Sequence, residues 1–506
     1  MLGKQTSGSP GTGTNHEIAL WKALLPVILL MILLSLNIFH FGSDALSGSM
    51  QTLLILISGF TAAWGIVILR VRWKIIQEGI LKGIYQVLEP ILILLLVGAL
   101  AGTWMLSGII PTLIYYGLKI LHPSIFLLAA CLIASAISLI TGSSWSTIAT
   151  FGLALLAIGK AMGFHEGWIA GAIISGAYFG DKMSPLSDTT VLAPAVARTD
   201  VPTHIRAMLS TSLPSFSLAV LIYLIKGFVD SPQSVEGLSA FHEISDSLRS
   251  QFLISPALLL FPVGIFLLIR KGIPAIPSLF IGAVGGGLLA LCFQYPLLKE
   301  MCLSAENEQG IYHILFKAFY TNTNYHTGHE LLDNILPTRG MEGMLLTIWL
   351  ILTASTFGGV MEATNCLRTI TQALTRGIHS ALGLLSSVLG SCLFINIVVG
   401  DQYLSILLPG SMARDSFQEK NLPPELLSRT LEDSGTVTSV LVPWNTCGAT
   451  QATVLGVATL SYLPYAFFNL FSPLVSLAVM IMGQKFSARI SKIPSERDKE
   501  ENKNKA

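Results

Sequence analysis

Charge is what this sequence has least of. Lys, Arg, Asp and Glu make up 12% of 506 residues, against roughly 25% in an ordinary soluble domain. The formal net charge is +1 and no segment carries a basic stripe. Nucleic-acid binding needs clustered Lys and Arg against phosphates and is excluded as a function class. Cysteine is scarce too. The six, at 131, 292, 302, 366, 392 and 447, form no Cys-x-x-Cys pair and mostly sit among apolar neighbours, so neither a disulfide framework nor a metal framework is implied. Enzyme signatures are missing as well. There is no Walker loop and no Gly-x-Ser-x-Gly, and His329-Glu-Leu-Leu-Asp333 lacks the second histidine of a zinc protease. Tyr178-Phe-Gly-Asp181 and Val398-Val-Gly-Asp401 lack the first glycine of an intramembrane aspartyl protease. No enzymatic activity and no cofactor are expected.

Apolar residues fill the space that charge leaves. They make up 52% of the chain, and the mean hydropathy is +0.67. Runs such as Leu24–Phe41, Thr52–Leu69, Ile276–Phe293 and Leu382–Val399 recur, each long enough to cross a hydrocarbon core of ~30 Å. The pattern predicts an all-α polytopic membrane protein with about ten to twelve spans. Arg70, Arg72, Lys74 and Lys82 cluster after the second run, whereas the short loop 42–50 has no Lys or Arg. By the positive-inside rule both termini are expected in the cytoplasm. The expected organisation is a disordered tail over 1–19, a first transmembrane half over 20–228, and a connection over 229–340 with two spans and polar interfacial segments. A second transmembrane half follows over 341–483, and a second tail over 484–506.

The informative interruptions come in pairs. In the first half they are Thr141–Thr147 and Gly180–Thr190; in the second they are Asn396–Gln402 and Val442–Gly448. Each half thus has two polar, Gly- or Pro-containing breaks roughly 40 residues apart. Paired interruptions in corresponding places are the best sequence pointer to a transporter built from two inverted-topology repeats, with discontinuous helices, re-entrant hairpins and a midplane site. Ionisable residues on broken backbone at membrane depth are costly and mark function. Asp181, Asp188 and Asp401 are therefore the candidates for ion binding and proton coupling, with Na⁺ as the ion they would hold. Ser143, Ser144, Thr147, Ser184, Ser187, Thr189, Asn396, Asn445 and Thr446 offer hard neutral oxygens suited to a hard cation. Lys182, Trp145 and Trp444 are expected in support, Lys182 by pairing with a neighbouring carboxylate. Glu432 and Asp433 follow the polar stretch 418–429 and are expected to be solvated. Glu89 is expected to complement a helix start.

At these motifs the chain resembles the NhaC-type sodium/proton antiporter family. The likeness rests on Gly180-Asp-Lys-Met-Ser-Pro-Leu-Ser-Asp-Thr-Thr190, supported by Thr141–Thr147, Gly400-Asp-Gln-Tyr403 and Val442-Pro-Trp-Asn-Thr-Cys-Gly448. The resemblance implies a member of a larger ion-transporter superfamily with elevator-type alternating access, exchanging cytoplasmic Na⁺ for external H⁺ across a bacterial inner membrane. A homodimer is the assembly expected by analogy, with Na⁺, H⁺ and membrane lipid as the partners. The same scaffold also serves exchangers coupling cations to small carboxylates such as malate and lactate, with Arg198 or Lys182 as the expected countercharge, so that alternative stays open here.

Overall fold

The computed structural model describes residues 18–41, 45, 47–229, 246–304, 310–321, 338–376, 378 and 380–490. Most of the expected N-terminal tail, most of the C-terminal tail, and the His329–Asp333 run lie outside the described residues. Among those described there is no β-strand. Among the described residues, nine helices are long and apolar enough to cross a membrane, or ten if the bent pair Thr459–Tyr465 and Phe467–Met482 is one span. That bears out the all-α polytopic expectation, and the lower end of its ten to twelve spans is reached when the bent pair counts as one.

In chain order the helices are α1 (Leu20–Phe41), α2 (Ser49–Val67), α3 (Trp73–Gln86), α4 (Leu88–Leu106), α5 (Ile109–Ile120) and α6 (Pro123–Thr141). Next come α7 (Ser144–Ala161), α8 (Glu166–Met183), α9 (Asp188–Ala197), α10 (Val201–Val229), α11 (Leu260–Arg270), α12 (Ala275–Phe293), α13 (Tyr295–Ser304) and α14 (Ile311–Tyr320). The remainder are α15 (Leu345–Ala363), α16 (Cys366–Thr375), α17 (Ala381–Val398), α18 (Gln402–Glu419), α19 (Pro424–Leu431), α20 (Thr446–Leu455), α21 (Thr459–Tyr462) and α22 (Phe467–Ile490). A π turn, Glu432–Thr436, carries α19 on into the short helical segment Val437–Ser439, and a second π turn, Ile148–Gly152, lies inside α7.

Local chemistry explains the ends. Pro123 opens α6 at a position where its missing N–H costs nothing. Glu89 lies in the first turn of α4, where an acid suits the helix dipole, as expected. Packing then follows small residues. On α8, a Cβ at Gly176 would meet the Cys131 carbonyl oxygen at 2.0 Å, and one at Gly180 the Ser135 oxygen at 2.2 Å. These two glycines let α8 lie directly on the backbone of α6, the small-residue contact typical of membrane helices. The outer face of α10 presents Leu213, Leu218, Leu221 and Ile225 uncovered, as a lipid-facing surface should.

One order of elements occurs twice. α6, a two-residue break, α7, then α8, a four-residue break, α9 and the long α10 make the first series. α17, a three-residue break, α18, then α19 with its π turn, a break at 440–445, α20 and the long α22 make the second. Three of the four breaks fall inside the interruptions that the sequence marks, and the fourth, at 440–445, begins two residues before Val442.

Candidate ion-binding site

At each break a polar side chain caps the next helix. Ser143 accepts from the Ser146 N–H at 3.2 Å and opens α7. Ser187 opens α9, Asp401 opens α18 by accepting from the Leu404 N–H at 2.7 Å, and Asn445 opens α20 by accepting from the Cys447 N–H at 3.0 Å. These caps satisfy amides that would otherwise be orphaned at depth. Their neighbours explain how the breaks meet. Gly142 precedes Ser143 with φ +70°, and Gly400 precedes Asp401 with φ +71°. A Cβ on Gly142 would meet the Leu186 carbonyl carbon at 2.7 Å, and one on Gly400 the Trp444 oxygen at 2.9 Å. Leu186 and Trp444 are themselves the residues just before the caps Ser187 and Asn445. In both series, then, the residue before one cap lies against the residue before the other. The Thr446 N–H also donates to the Gly400 oxygen at 2.9 Å, which stitches the second crossing.

Between the two crossings lies a cavity of about 360 Å³, lined by residues of both series together with Gln86, Glu89, Pro90, Ile93 and Ala275. Asp181, Asp188 and Asp401 all reach it, as do Ser143, Trp145 and Thr446. No Lys or Arg is among its lining residues. Asp181 is buried at the end of α8. Its Oδ2 accepts from the Ser144 hydroxyl at 2.7 Å and the Ser144 N–H at 3.1 Å, while Oδ1 has no hydrogen-bond partner among the described residues. Asp188 is exposed, and its two oxygens are taken by the Tyr403 hydroxyl and by its own neighbour's N–H, from Thr189 at 2.8 Å.

The other expected oxygens form the frame around the cavity. Thr147 donates to the Ser143 carbonyl at 2.9 Å. The Ser184 hydroxyl accepts from the Leu186 N–H, and Thr189 shares a hydrogen bond with Ser187 at 3.2 Å. Asn396 donates to the Gly435 carbonyl at 2.8 Å, and the Asn445 amide donates to the Asn396 side-chain oxygen at 3.1 Å. The Trp444 indole donates to the Ile397 carbonyl at 2.6 Å.

Three expectations need correction. No group of three His, Cys, Asp or Glu close enough to hold one ion occurs among the described residues, so Asp181, Asp188 and Asp401 line one cavity without forming one three-acid cage. Capping occupies Asp401, and Tyr403 holds Asp188. Glu432 and Asp433 are not solvated: both are fully buried, because the π turn folds them into the bundle rather than onto its polar rim. Lys182, also fully buried, points away from the cavity to Asp433 of that π turn, 251 residues along the chain, and donates to Ser472 at 3.3 Å. Asp433 further accepts from Thr211 at 3.0 Å and faces the Arg429 guanidinium at 3.6 Å. Arg198, the other suggested countercharge, is exposed at the end of α9.

Sequence reasoning missed several lining residues. Gln402 and Tyr403 stand beside Asp401 in a motif already singled out, so adjacency was a usable signal. Gln402 accepts from the Cys447 thiol at 2.9 Å and the Ser439 hydroxyl at 3.1 Å. Gln86 and Glu89 come from the α3–α4 junction, to which no interruption pattern pointed.

A family model described as the Na⁺/H⁺ antiporter family matches residues 176–484, from within α8 to α22, taking in the second crossing and the 184–187 side of the first. The chain belongs to the Na⁺/H⁺ antiporter family. Among its relatives, the Na⁺/H⁺ antiporter NhaC of Alkalihalophilus pseudofirmus is 37% identical over 82% of this chain and 86% of its own. The malate-2H⁺/Na⁺-lactate antiporter of Bacillus subtilis is 38% identical over 78% of this chain and 81% of its own. The arginine/ornithine antiporter ArcD of Halobacterium salinarum is 34% identical, covering 91% of each. The family so placed agrees with the NhaC-type resemblance of the motifs.

Proposed function

We propose that this protein is a secondary active transporter, not an enzyme, that exchanges cytoplasmic Na⁺ for external H⁺ by alternating access. One observation carries the reading: the cavity at the two crossings is lined by Asp181, Asp188, Asp401 and Glu89 with no base beside them. A cavity of that sign attracts a cation, and carboxylate and hydroxyl oxygens suit a hard one. A carboxylate holds either a proton or a sodium ion, and competition between them for one oxygen couples the two flows. Asp181 is the residue we assign to that exchange, since its Oδ1 is unpartnered while Ser144 fixes its Oδ2. Helix N-termini at the breaks place amide dipoles around the acids and offset part of their desolvation. Asp188 and Asp401 set the field of the cavity and bind the ion transiently as it enters.

The finer readings go with it. The two series of elements form the halves 20–228 and 341–483, related by inverted topology, and one moves against the other as an elevator. The protein sits in a bacterial inner membrane with both termini in the cytoplasm, as the Arg70, Arg72 and Lys74 cluster suggests, and works without a cofactor as a homodimer.

A second reading has its own support. A volume of about 360 Å³ exceeds what a bare ion needs and lies in the range of small-ligand sites, and one relative's name includes malate and lactate. Carboxylate exchange lacks a countercharge here, however, because neither Lys182 nor Arg198 reaches the cavity. The test is purified protein in liposomes with a pH-sensitive dye, an imposed pH gradient, and Na⁺, Li⁺, K⁺ or malate added separately. Collapse of the gradient by Na⁺ alone is expected. A response only when malate or lactate is present would establish the second reading instead.

A further inference from the structure

Behind the cavity, and sharing only Asp181 with it, lies a buried charged cluster whose other members the exchange reading leaves unused. Its acids are Asp181, Glu432 and Asp433; its bases are Lys182 and Arg429; all five are at most 6% exposed. His204 of α10 also faces the cluster, and its Nδ1 shares a hydrogen bond with Ser428 at 2.8 Å. The buried thiol of Cys392 on α17 lies on the other side. Asp433 is better provided for: Lys182, Thr211 and Ser472 donate to its Oδ1, while its Oδ2 faces the Arg429 Nε at 3.6 Å without a hydrogen bond. Glu432 is less well served. Its carboxylate sits beside the hydroxyls of Thr436 and Thr189 and within electrostatic reach of Asp181 and Lys182, yet neither oxygen has a hydrogen-bond partner among the described residues. The Thr436 hydroxyl and Asp181 Oδ1 are likewise unpartnered.

Two facts about this cluster point the same way. Five buried oxygens, Asp433 Oδ2 among them, lack hydrogen-bond partners among the described residues in one neighbourhood, and atoms left so are costly unless a ligand satisfies them. Counted formally, three carboxylates face two bases, one positive charge short of neutrality, and an uncompensated buried charge is heavily penalised. We infer that a single monovalent cation, Na⁺ or a proton in its place, occupies an inner position between Asp181 and Glu432, with Thr436 and Thr189 as further oxygen ligands. This rests on the Na⁺/H⁺ reading above and deepens it: an ion that enters at the cavity passes Asp181 to a second seat.

The test is equilibrium binding of tracer Na⁺ to purified full-length protein in detergent, with the protons displaced read in lightly buffered solution. Glu432→Gln keeps the shape and removes the uncompensated negative charge. It should bind one fewer Na⁺ per chain at saturation and displace one fewer proton, while Glu432→Asp keeps both. Should Glu432→Gln fail to fold, Thr436→Val should weaken inner-site Na⁺ binding about tenfold, the loss of roughly one good ligand. Unchanged Na⁺ stoichiometry and proton release in these variants would overturn the inner site. Liposome exchange by the wild type separates the two claims. Exchange present with unaltered binding in Glu432→Gln removes the inner site alone. One Na⁺ lost in Glu432→Gln with no wild-type exchange supports the site and removes the antiport reading. No Na⁺ binding by the wild type removes both.

Discussion

Breaking the Lys182–Asp433 contact should cost more from one side than from the other. Both side chains are fully buried, and removing one partner of a buried ion pair typically costs about 3–5 kcal/mol. Lys182→Met leaves Asp433 with hydrogen bonds from Thr211 at 3.0 Å and Ser472 at 3.3 Å and with Arg429 at 3.6 Å. Its cost should fall near the lower figure, about 3 kcal/mol. Asp433→Asn leaves the ammonium an amide oxygen and the Ser472 hydroxyl as acceptors but removes the charge opposite it, with Arg429 still nearby. Its cost should fall near the upper figure, about 5 kcal/mol. Adding Lys182→Met to Asp433→Asn removes the stranded cation, so the double variant should be more stable than Asp433→Asn alone. The coupling between the two sites should then exceed about 3 kcal/mol, the whole cost of Lys182→Met, at the top of the range for residues in one network. Thermal unfolding of the four proteins in one detergent, followed by loss of the monodisperse peak in gel filtration, gives the order. Melting of Asp433→Asn at or above Lys182→Met, or a double variant that simply sums the single losses, would refute the reasoning.

Other outcomes concern the cavity and its frame. Asp181→Asn should abolish Na⁺-dependent proton movement in liposomes while leaving expression in the membrane intact, because the amide keeps the shape but cannot exchange a cation. Tyr403→Phe should leave Asp188 without its hydroxyl donor and raise the Na⁺ concentration for half-maximal exchange several-fold with little change in the maximal rate. A hydrogen bond to a charged acceptor is worth about 1.5–3 kcal/mol; at an exposed residue the lower end applies. Gly400→Ala puts a Cβ 2.9 Å from the Trp444 oxygen at φ +71°. A non-glycine residue there costs roughly 1–2 kcal/mol before the clash, so it should lower both the melting point and the exchange rate. Gly390→Ala, where a Cβ meets nothing within 4 Å, is the control and should be silent.

The four breaks were legible because broken helices in a membrane need unusual residues. Gly142 and Gly400 take a backbone conformation that a side chain resists, and Ser143, Ser187, Asp401 and Asn445 must each cap a new helix start. That chemistry is local and therefore readable. Which side chains then face the cavity was not local. Asn396 and Asn445 have the right oxygens for an ion, but the Asn396 oxygen accepts from the Asn445 amide and the Asn445 oxygen from the Cys447 N–H. Lys182 was expected to tune a neighbouring acid; its partner lies on the other series, 251 residues on. Glu432 and Asp433 read as solvated because the segment before them is polar, and a single π turn, which no propensity announces, carries them inside. Glu89 was read correctly as an acid at a helix start, and the fold also brings it to the cavity wall.

The most direct measurement is tracer Na⁺ uptake into proteoliposomes that are acid inside. Wild-type protein should accumulate Na⁺ against its gradient while the internal pH rises, and the accumulation should vanish when a protonophore and a K⁺ ionophore dissipate the pH gradient. Vesicles carrying Asp181→Asn should take up no more than protein-free ones. Equal accumulation by Asp181→Asn, or none by the wild type in an active, correctly folded preparation, would contradict Na⁺/H⁺ exchange through this cavity.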